Sequence, residues 1–343
     1  MNTPVDSPPP VVESVQIATP SGPLELLTCT PHAASTKQQR QPILCVHGAH
    51  CAAACFKAML PLFSQAGYTS YAVSVRGHGG SWQPSTFAFH ALTGIDSYVS
   101  DMMAALDFIS AEHPDAQPIF VGHSMGGAIL QRALGNWSTL GMPNIQPAGL
   151  ILLAAAPLSG GGMDVARRWQ AAEAALAQQQ PPAVPAAAHQ AWVPWLRSFF
   201  SFQPNTGLET PAQVRNKFFS SEAPEDVVEG WLRDSKGRLE SIRVSIEHMW
   251  PFADSADVLA AIHSNARPVG RKILSILGEK DALISQDLTR QTFDGYRLVS
   301  QGEQEVMRLS LADSAHHIML DVAHERCAQS IIDWIDGKDI EGA

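Results

Sequence analysis

The feature that most constrains this chain is a strand-like run that leads into a glycine-flanked serine. Residues 119–121 are apolar, residues 122–126 read Gly-His-Ser-Met-Gly, and residues 128–134 favour a helix. This order of strand, sharp turn and helix is the context that a nucleophile elbow requires. We expect the two glycines to lie where a Cβ atom would clash with the neighbouring strand and helix. The alternative is a glycine-rich turn whose serine is purely structural.

Ser124 would project from the tip of a strand, where the helix N-terminus favours developing negative charge. Serine alone is a weak nucleophile at neutral pH, because it needs an adjacent base and the base needs an orienting acid. Asp281 and His316 follow two later strand-like runs and could supply the acid and the base. The sequence therefore predicts a Ser124, His316 and Asp281 constellation.

Each of these two partners has competitors nearby in the chain. His317 competes with His316, and a shift of one residue along the loop would redirect the side chain. We expect His316 to be the base and His317 to pack behind it. Asp281 is favoured over Asp287 and Asp294, because both fall in a predicted helix and not at a strand end.

Length and composition allow a large core and exclude several classes of partner. The chain has 343 residues, of which 45% are apolar, which is enough for one large core or two moderate ones. Its formal net charge is -10 and it has no basic patch, so we expect no nucleic acid partner. No run approaches the roughly 18 apolar residues of a membrane span, so we expect no stable membrane insertion. A homodimer is compatible with the sequence.

The termini and the cysteines bear on the cellular compartment. Residues 1–10 are rich in proline and have no basic or apolar region, which predicts a disordered leader and not a signal peptide. The last three residues match no retention or peroxisomal signal. The 5 cysteines lack the spacing of a disulfide framework, so we expect free thiols and a cytoplasmic protein.

Apolar runs and helical periodicities alternate along most of the chain. Strand-like runs occupy residues 11–19, 24–28, 43–46, 68–75, 119–121, 149–154, 272–277 and 306–311. Helical patterns occupy residues 56–65, 95–110, 128–134 and 322–335. The alternation predicts an α/β fold with a mostly parallel eight-stranded sheet, covered by helices on both faces and led by one antiparallel pair. Active residues should then lie at the carboxyl ends of strands.

Residues 158–265 interrupt this alternation with Ala, Gln and Pro, then aromatic residues, and no strand-like run. We expect an inserted helical lid there, with residues 11–157 and 266–343 forming the core. Most of its aromatic residues should pack within the lid and against the core, while a minority line an apolar pocket. They include Trp169, Trp192, Trp195, Phe199, Phe200, Phe202, Phe218, Phe219, Trp231 and Trp250.

Two turns have a second interpretation. His47, His50, Cys51 and Cys55 have the spacing of soft-metal ligands, but no second ligand pair follows at a zinc-finger-like distance. We therefore expect no metal, with His47 bracing the loop and the cysteines packing as small apolar residues. Residues 76–81 are glycine-rich but lack the Lys-Ser/Thr pair of a phosphate-binding loop, which favours a structural turn.

The motifs as a set resemble the α/β-hydrolase superfamily of the AB hydrolase-1 type. The resemblance rests on His47-Gly48, residues 76–79, residues 122–127, the Gly278-x-x-Asp281 turn and His316, in this order. It spans about residues 40–335 and extends to lid-bearing serine esterases and monoacylglycerol-lipase-like enzymes. Related proteins carry a Gly-His-x-x-x-x-acid pattern, which matches His316 and Asp321 here, with Ala315 in place of the glycine.

The resemblance implies serine-ester chemistry without a cofactor or a metal. Ser124 would attack a carbonyl carbon, His316 would take its proton, and Asp281 would fix the imidazole tautomer. The backbone N–H groups of Ala49 and Met125 would form the oxyanion hole. The expected function is hydrolysis of a carboxylic ester, thioester or lactone of an apolar small-molecule substrate through an acyl-enzyme.

The fold hosts other chemistries, and several alternatives stay open. Hydroxynitrile lyases and C–C hydrolases keep the serine and the histidine, and an acyltransferase or cyclase would replace water with a substrate hydroxyl or carbanion. Epoxide hydrolases and dehalogenases of this fold use an aspartate nucleophile, which Ser124 argues against. A non-catalytic ligand receptor would keep the pocket without needing the triad, and labelling by a covalent probe distinguishes it from an enzyme.

Overall fold

The computed structural model describes residues 10–31, 40–114, 117–141, 145–179, 207–235, 240–263, 270–340 and 342. Nine of the ten residues of the predicted leader lie outside the described residues. The same holds for Trp192, Trp195, Phe199, Phe200 and Phe202 of the predicted lid.

Within the described residues, eight strands form one sheet, as the apolar runs predict. They are β1 Glu13–Ile17, β2 Leu24–Cys29, β3 Ile43–Val46, β4 Ser70–Val73, β5 Ile119–His123, β6 Gly149–Leu153, β7 Ile273–Gly278 and β8 Val306–Leu311. Their order across the sheet is β1-β2-β4-β3-β5-β6-β7-β8. Strand β2 pairs antiparallel with β1 and with β4, and the remaining pairs are parallel. The predicted mostly parallel α/β fold is confirmed.

The α-helices of the described residues follow the strands along the chain. They are α1 Leu60–Gln65, α2 Ile95–Glu112, α3 Met125–Gly135, α4 Gly162–Gln179, α5 Pro211–Phe218, α6 Glu225–Ser235, α7 Ile242–Glu247, α8 Ser255–Ala261, α9 Gln286–Val299 and α10 His324–Ile335.

The predicted helix over residues 56–65 is shorter than expected. A 3₁₀ turn occupies Ala53–Phe56, and α1 begins only at Leu60. The reason is Pro61, which has no N–H to donate and whose ring clashes with the carbonyl four residues earlier in a continuing helix. Proline is tolerated in the first turn, so the α-helix begins beside it.

The central strands are buried on both faces, which explains why their sequences are continuously apolar. In β3, Ile43 and Cys45 pack in the layer that contains α1 and α10, whereas Leu44 and Val46 pack in the layer that contains α2 and α3. All four side chains are fully buried. Helices therefore cover both faces, and the chemistry has to be sought at the carboxyl edge of the sheet.

The described residues between β6 and β7 form helices α4 to α8 and no strand, in line with the helical patterns of that segment. Their starts carry capping signals: Thr210 and Gln213 form a capping box at α5, and the Ser241 side chain accepts from the N–H of Val244 at α7. None of the described helices is both long and apolar enough to cross a membrane.

Candidate active site

Ser124 lies on a strained turn between β5 and α3. Its φ of 50° and ψ of -117° are rare for a residue with a Cβ atom. Its N–H donates to the carbonyl of Leu153 at 2.9 Å, and its own carbonyl accepts from Gly127 at 3.0 Å and Ala156 at 3.1 Å. These bonds tie the turn to the end of β6 and hold Ser124 at the carboxyl edge of the sheet.

The two glycines of the motif permit a close approach between α3 and the sheet. A Cβ atom on Gly122 would lie 2.7 Å from the Cα of Gly127, and one on Gly126 would collide with the carbonyl oxygen of Val46. Real Cβ atoms essentially never approach other atoms this closely. The steric expectation from the sequence is confirmed at both positions.

Asp281 and His316 are joined by a buried hydrogen bond. His316 Nδ1 lies 2.8 Å from Asp281 Oδ2, and the side chains are 4% and 1% exposed. Because a carboxylate only accepts, Nδ1 carries the hydrogen and Nε2 is left with a lone pair. The other Asp281 oxygen accepts from the N–H groups of Leu283 and Ile284, both at 2.8 Å. The carboxylate is therefore held on both sides.

The Gly278-x-x-Asp281 turn packs directly against the loop that carries His316. A Cβ atom on Gly278 would collide with the carbonyl oxygens of Ser314 and Ala315, so only glycine permits this approach. The N–H of Lys280 donates to the carbonyl of Ser314 at 3.0 Å. By contrast, Asp287 and Asp294 lie in α9 and are exposed, as expected.

Ser124 and His316 line one cavity of about 320 Å³, together with Ala49 and Met125. Asp281 does not line the cavity and lies behind His316. Among the hydrogen bonds of the described residues, none joins the Ser124 hydroxyl to His316. Catalytic hydrogen bonds are often long before substrate binds and tighten in the complex, so this geometry is compatible with a reacting pair.

The cavity lies between the carboxyl edge of the sheet and helices α4 and α7. Most of its lining is apolar, and the described residues between β6 and β7 contribute more of the lining residues than the rest of the chain does. Its apolar lining residues are Ala49, Met125, Ala156, Val165, Ala166, Trp169, Val244, Met249, Leu283 and Ile284. Such a wall suits a substrate with a substantial apolar part.

Two carboxylates, Glu173 and Glu240, line the cavity, and its described lining contains no Lys or Arg. The Glu173 carboxylate accepts from Trp169 Nε1 at 3.0 Å and lies 3.5 Å from the Lys217 ammonium. The buried Lys217 also donates to the carbonyl of Gly207 at 2.6 Å. Glu173 is thus already paired with groups of the protein.

The Glu240 side chain is 8% exposed and anchors the start of α7 on the core. It accepts from the Tyr98 hydroxyl at 2.6 Å and from the N–H of Ser241 at 2.9 Å, and it lies 3.4 Å from His78 Nε2. Burial alone would raise the pKa of Glu240, but the nearby His78 and His50 and the hydrogen bond from Tyr98 outweigh it and lower the pKa to about 2. The glycine-rich 76–81 turn therefore presents His78 to Glu240, in agreement with its structural interpretation.

Of the two adjacent histidines, His316 lines the cavity and His317 does not. The His317 ring packs 4.7 Å from Phe218 and 5.3 Å from Trp231, measured between ring centroids. Burial lowers the pKa of His317 well below its ordinary value, and neighbouring histidines lower it further. His317 is therefore a packed neutral histidine, as the sequence predicts.

The candidate metal ligands of the sequence do not form one set. His47 Nδ1 lies 2.8 Å from the carbonyl of Gly48, and its Nε2 accepts from the N–H of Val75 at 3.2 Å. Both ring nitrogens are thus engaged in bracing the loop, as expected. Cys51 and Cys55 are buried apolar residues, also as expected.

A different trio, Cys51, His123 and His317, places its potential ligand atoms within 4.8 Å of one another. The Cys51 sulfur, however, is 3.9 Å from Nδ1 and 3.8 Å from Nε2 of His317. A sulfur that is equidistant from both nitrogens lies against the His317 ring and not along the lone pair of one nitrogen. A metal ion shared by the two residues would have to lie along such a lone pair. The arrangement is that of close packing.

The sequence did not single out the individual lining residues contributed by the segment between β6 and β7. Val165 and Trp169 lie one turn apart on α4, so their spacing marks an apolar helix face. Spacing alone does not say whether such a face meets the core or a cavity. The sequence likewise did not predict that Ser220, between β6 and β7, donates hydrogen bonds to Asp321 beside the His316 loop.

Comparison with known proteins agrees with this architecture. The family model described as "Serine aminopeptidase, S33" matches residues 37–321. Protein phosphatase methylesterase 1 of Candida albicans is 30% identical over 118 residues, which cover 34% of this chain and only 30% of that protein.

Solved structures of several esterases share the fold. The carboxyl esterase of Bacillus coagulans superposes with a TM-score of 0.61 at 16% identity, covering 96% of this chain and 99% of that one. The Exiguobacterium antarcticum esterase gives 0.58 at 16% identity, covering 94% and 99%. The monoacylglycerol lipase of Paleococcus ferrophilus gives 0.53 at 16% identity, covering 95% and 99%. The chain belongs to the serine aminopeptidase S33 family and is a serine hydrolase of the α/β-hydrolase fold.

Proposed function

We propose that the chain hydrolyses carboxylic esters, thioesters or lactones of apolar small molecules through an acyl-enzyme on Ser124. One observation carries the proposal. Asp281 and His316 are hydrogen-bonded at 2.8 Å, and His316 lines the same cavity as Ser124. This bond leaves the His316 Nε2 lone pair available for the proton of the Ser124 hydroxyl.

The mechanism follows from these positions. Ser124 Oγ attacks the carbonyl carbon while His316 Nε2 takes the hydroxyl proton, and His316 then returns that proton to the leaving alcohol or thiol. Water attacks the acyl-enzyme with His316 again as the base, which frees the acid and restores Ser124. Asp281 stabilises the imidazolium and keeps the ring in the productive tautomer throughout.

The oxyanion is assigned to the backbone N–H groups of Ala49 and Met125. Met125 is the first residue of α3, so its N–H is among those that have no partner within the helix. Both residues line the cavity beside Ser124. Fixed donors of this kind stabilise the charge that develops in the transition state, and removing one typically costs roughly a hundredfold to a thousandfold in rate.

The substrate class rests on the cavity wall. A volume of about 320 Å³ with a mostly apolar lining fits a small ester with an aliphatic or aromatic part. In this proposal, the described helices of the predicted lid cover the site, because α4 and α7 form the side of the cavity that faces the sheet edge. The five cysteines are buried thiols, which supports the cytoplasm as the compartment.

A second candidate is hydrolysis of an amide next to a free amine, which the name of the family suggests. Glu173 and Glu240 on the cavity wall favour a cationic substrate group. Both carboxylates are already bound by groups of the protein, which makes ester hydrolysis the stronger proposal. Turnover of an aminoacyl p-nitroanilide above that of p-nitrophenyl esters would reverse this order.

The test compares the unmodified protein with Ser124→Ala. We expect p-nitrophenyl ester turnover and labelling by a fluorophosphonate probe in the unmodified protein, and neither in the variant. Retention of both by the variant would remove Ser124 from the mechanism. Product analysis with added alcohols separates hydrolysis from acyl transfer, and ligand binding without labelling or turnover would indicate a receptor.

A further inference from the structure

We propose that Phe218 and Ser220 are positioning residues for His316, and that an apolar substrate group resting on Trp169 acts on His316 through Phe218. This inference rests on the proposed function of Ser124 and His316. It means that residues between β6 and β7 help to hold His316 in its reactive position.

Asp321 links that segment to the His316 loop through hydrogen bonds. Its carboxylate is fully buried and accepts from the N–H of Ser220 at 2.8 Å, the Ser220 hydroxyl at 2.6 Å and the N–H of Ala315 at 2.9 Å. Ala315 directly precedes His316. Because hydrogen bonds of this length to a carboxylate are strong, Asp321 fixes Ser220 against the residue that precedes the base.

A second connection joins the two segments through backbone and rings. The N–H of His317 donates to the carbonyl of Phe218 at 2.9 Å. The Phe218 ring lies 5.9 Å from the His316 ring with an interplanar angle of 31°, and 4.7 Å from the His317 ring. Phe218 is only 3% exposed, so its ring forms a fixed wall behind the base.

Trp169 links this wall to the cavity. It lines the cavity from α4, and its ring meets Phe218 edge-on at 5.8 Å. Glu173 accepts its indole N–H at 3.0 Å and the Lys217 ammonium lies 4.8 Å from its ring centroid, so Trp169 is itself held from both sides. Trp169, Phe218 and His316 therefore form a continuous row of packed rings, and a substrate group packed on Trp169 would act on His316 through this row.

This arrangement makes a kinetic prediction. Contacts that exist equally in the ground state and the transition state lower KM, whereas contacts that improve the alignment of the reacting groups raise kcat. Since no hydrogen bond joins Ser124 to His316 among the described residues, a group that presses on Trp169 should raise kcat by completing that alignment. We expect substrates whose acyl chain reaches Trp169 to be the preferred class.

The experiment measures kcat and KM for p-nitrophenyl acetate and p-nitrophenyl hexanoate. In the unmodified protein we expect kcat to be about tenfold higher for the hexanoate. Phe218→Leu should reduce that ratio to about one, with little change in KM. Ser220→Ala should lower kcat for both esters by roughly 10-fold to 100-fold, and Ser220→Thr, which keeps a hydroxyl, should restore it.

Phe63→Leu is the matched control, because Phe63 lies in α1, is fully buried in the core and does not line the cavity. The Phe63→Leu variant should be less stable, but its ratio of kcat for the hexanoate to kcat for the acetate should not change. An unchanged ratio in Phe218→Leu, or equal loss in the Phe63 control, would overturn the proposal.

A readout that does not depend on turnover is the downfield proton resonance of His316 Nδ1–H, assigned by its absence in His316→Gln. We expect it to broaden and to exchange faster with solvent in Phe218→Leu and in Ser220→Ala. Unchanged resonances in both variants would overturn the proposal. If the resonance responds while the unmodified protein turns over no ester, the proposed reaction fails and the positioning role stands.

Discussion

His123 Nε2 donates a hydrogen bond to the backbone carbonyl of His316 at 3.0 Å, although the two residues are 193 positions apart in the chain. The residue that precedes the proposed nucleophile thus holds the backbone of the proposed base. The two rings lie 4.9 Å apart, and burial lowers the pKa of His123 well below its ordinary value. A neutral imidazole suits this role, because it donates from one nitrogen without placing a buried charge beside His316.

His123→Phe should leave the His316 carbonyl without its donor. An unpaired buried carbonyl costs about 1–3 kcal/mol, so we expect a corresponding decrease in the free energy of unfolding and a lower kcat. His123→Gln keeps an N–H donor and should lose less of both. Urea unfolding and ester kinetics measure the two effects, and equal losses in the two variants would show that the bond is unimportant.

Asp281→Asn should lower kcat by roughly a thousandfold to ten-thousandfold with little change in KM. The amide N–H₂ of asparagine would face His316 Nδ1, which favours the tautomer whose Nε2 carries the hydrogen and cannot accept the serine proton. Asp287→Asn, on the exposed side of α9, is the control and should behave as the unmodified protein. A mild effect of Asp281→Asn on kcat would exclude Asp281 as the orienting acid.

Gly126→Ala and Gly295→Ala should shift stability in opposite directions. A Cβ atom at position 126 collides with the backbone of Val46, and overpacking of this kind typically costs about 1–3 kcal/mol. Position 295 lies inside α9 with no atom within 4 Å of a built Cβ, so alanine should stabilise by about 0.5–1 kcal/mol. Thermal unfolding measures both, and a neutral Gly126→Ala would contradict the close packing of the elbow.

The free energy of unfolding should decrease below about pH 6.5, the ordinary pKa of histidine. Burial, and then the charges of nearby histidines, hold the pKa of His317 well below that value in the folded protein. In this range the unfolded chain binds a proton that the folded protein does not, so stability is lost as the pH falls, by up to about 1.4 kcal/mol per pH unit for each such group.

The variant His317→Gln should weaken this pH dependence. Urea unfolding at about pH 7.5 and about pH 5.5 brackets the ordinary histidine pKa and measures the difference. If the variant loses as much stability as the unmodified protein between these two conditions, His317 is not responsible for the loss.

Val165→Trp should exclude substrates with the longer acyl chains. Val165 lines the cavity from α4, and the larger side chain would fill much of its volume of about 320 Å³. We expect kcat/KM for p-nitrophenyl hexanoate to fall far more than that for the acetate. Met163→Trp, on the same helix but 53% exposed and outside the cavity lining, is the control. Equal effects of Val165→Trp on both esters would place the acyl chain elsewhere.

Local chemistry made much of this protein predictable. The strands of the sheet are continuous apolar runs because both faces are covered, and such runs are readable without a structure. The elbow is readable because only glycine permits the approach of α3 to β3 at Gly126. Asp281 and His316 were predictable as a pair because both follow strands whose carboxyl ends meet at one edge of the sheet.

Contacts between distant segments were not predictable in the same way. The apolar spacing of Val165 and Trp169 predicts a buried face, but the same spacing would serve a face packed on the core. The bond from Ser220 to Asp321 joins residues 101 positions apart and leaves no local pattern in either segment.

The sequence by itself determined the order of the strands along the chain and the turn at Ser124, because each depends on residues that are close together in the chain. Only the tertiary structure decided that His316 and not His317 lines the cavity. It also decided that His123 and Ser220 support the loop that carries His316. The physical reason is that backbone conformation and strand-end chemistry are local, whereas the direction of a side chain on a loop is set by whatever distant segment packs against it.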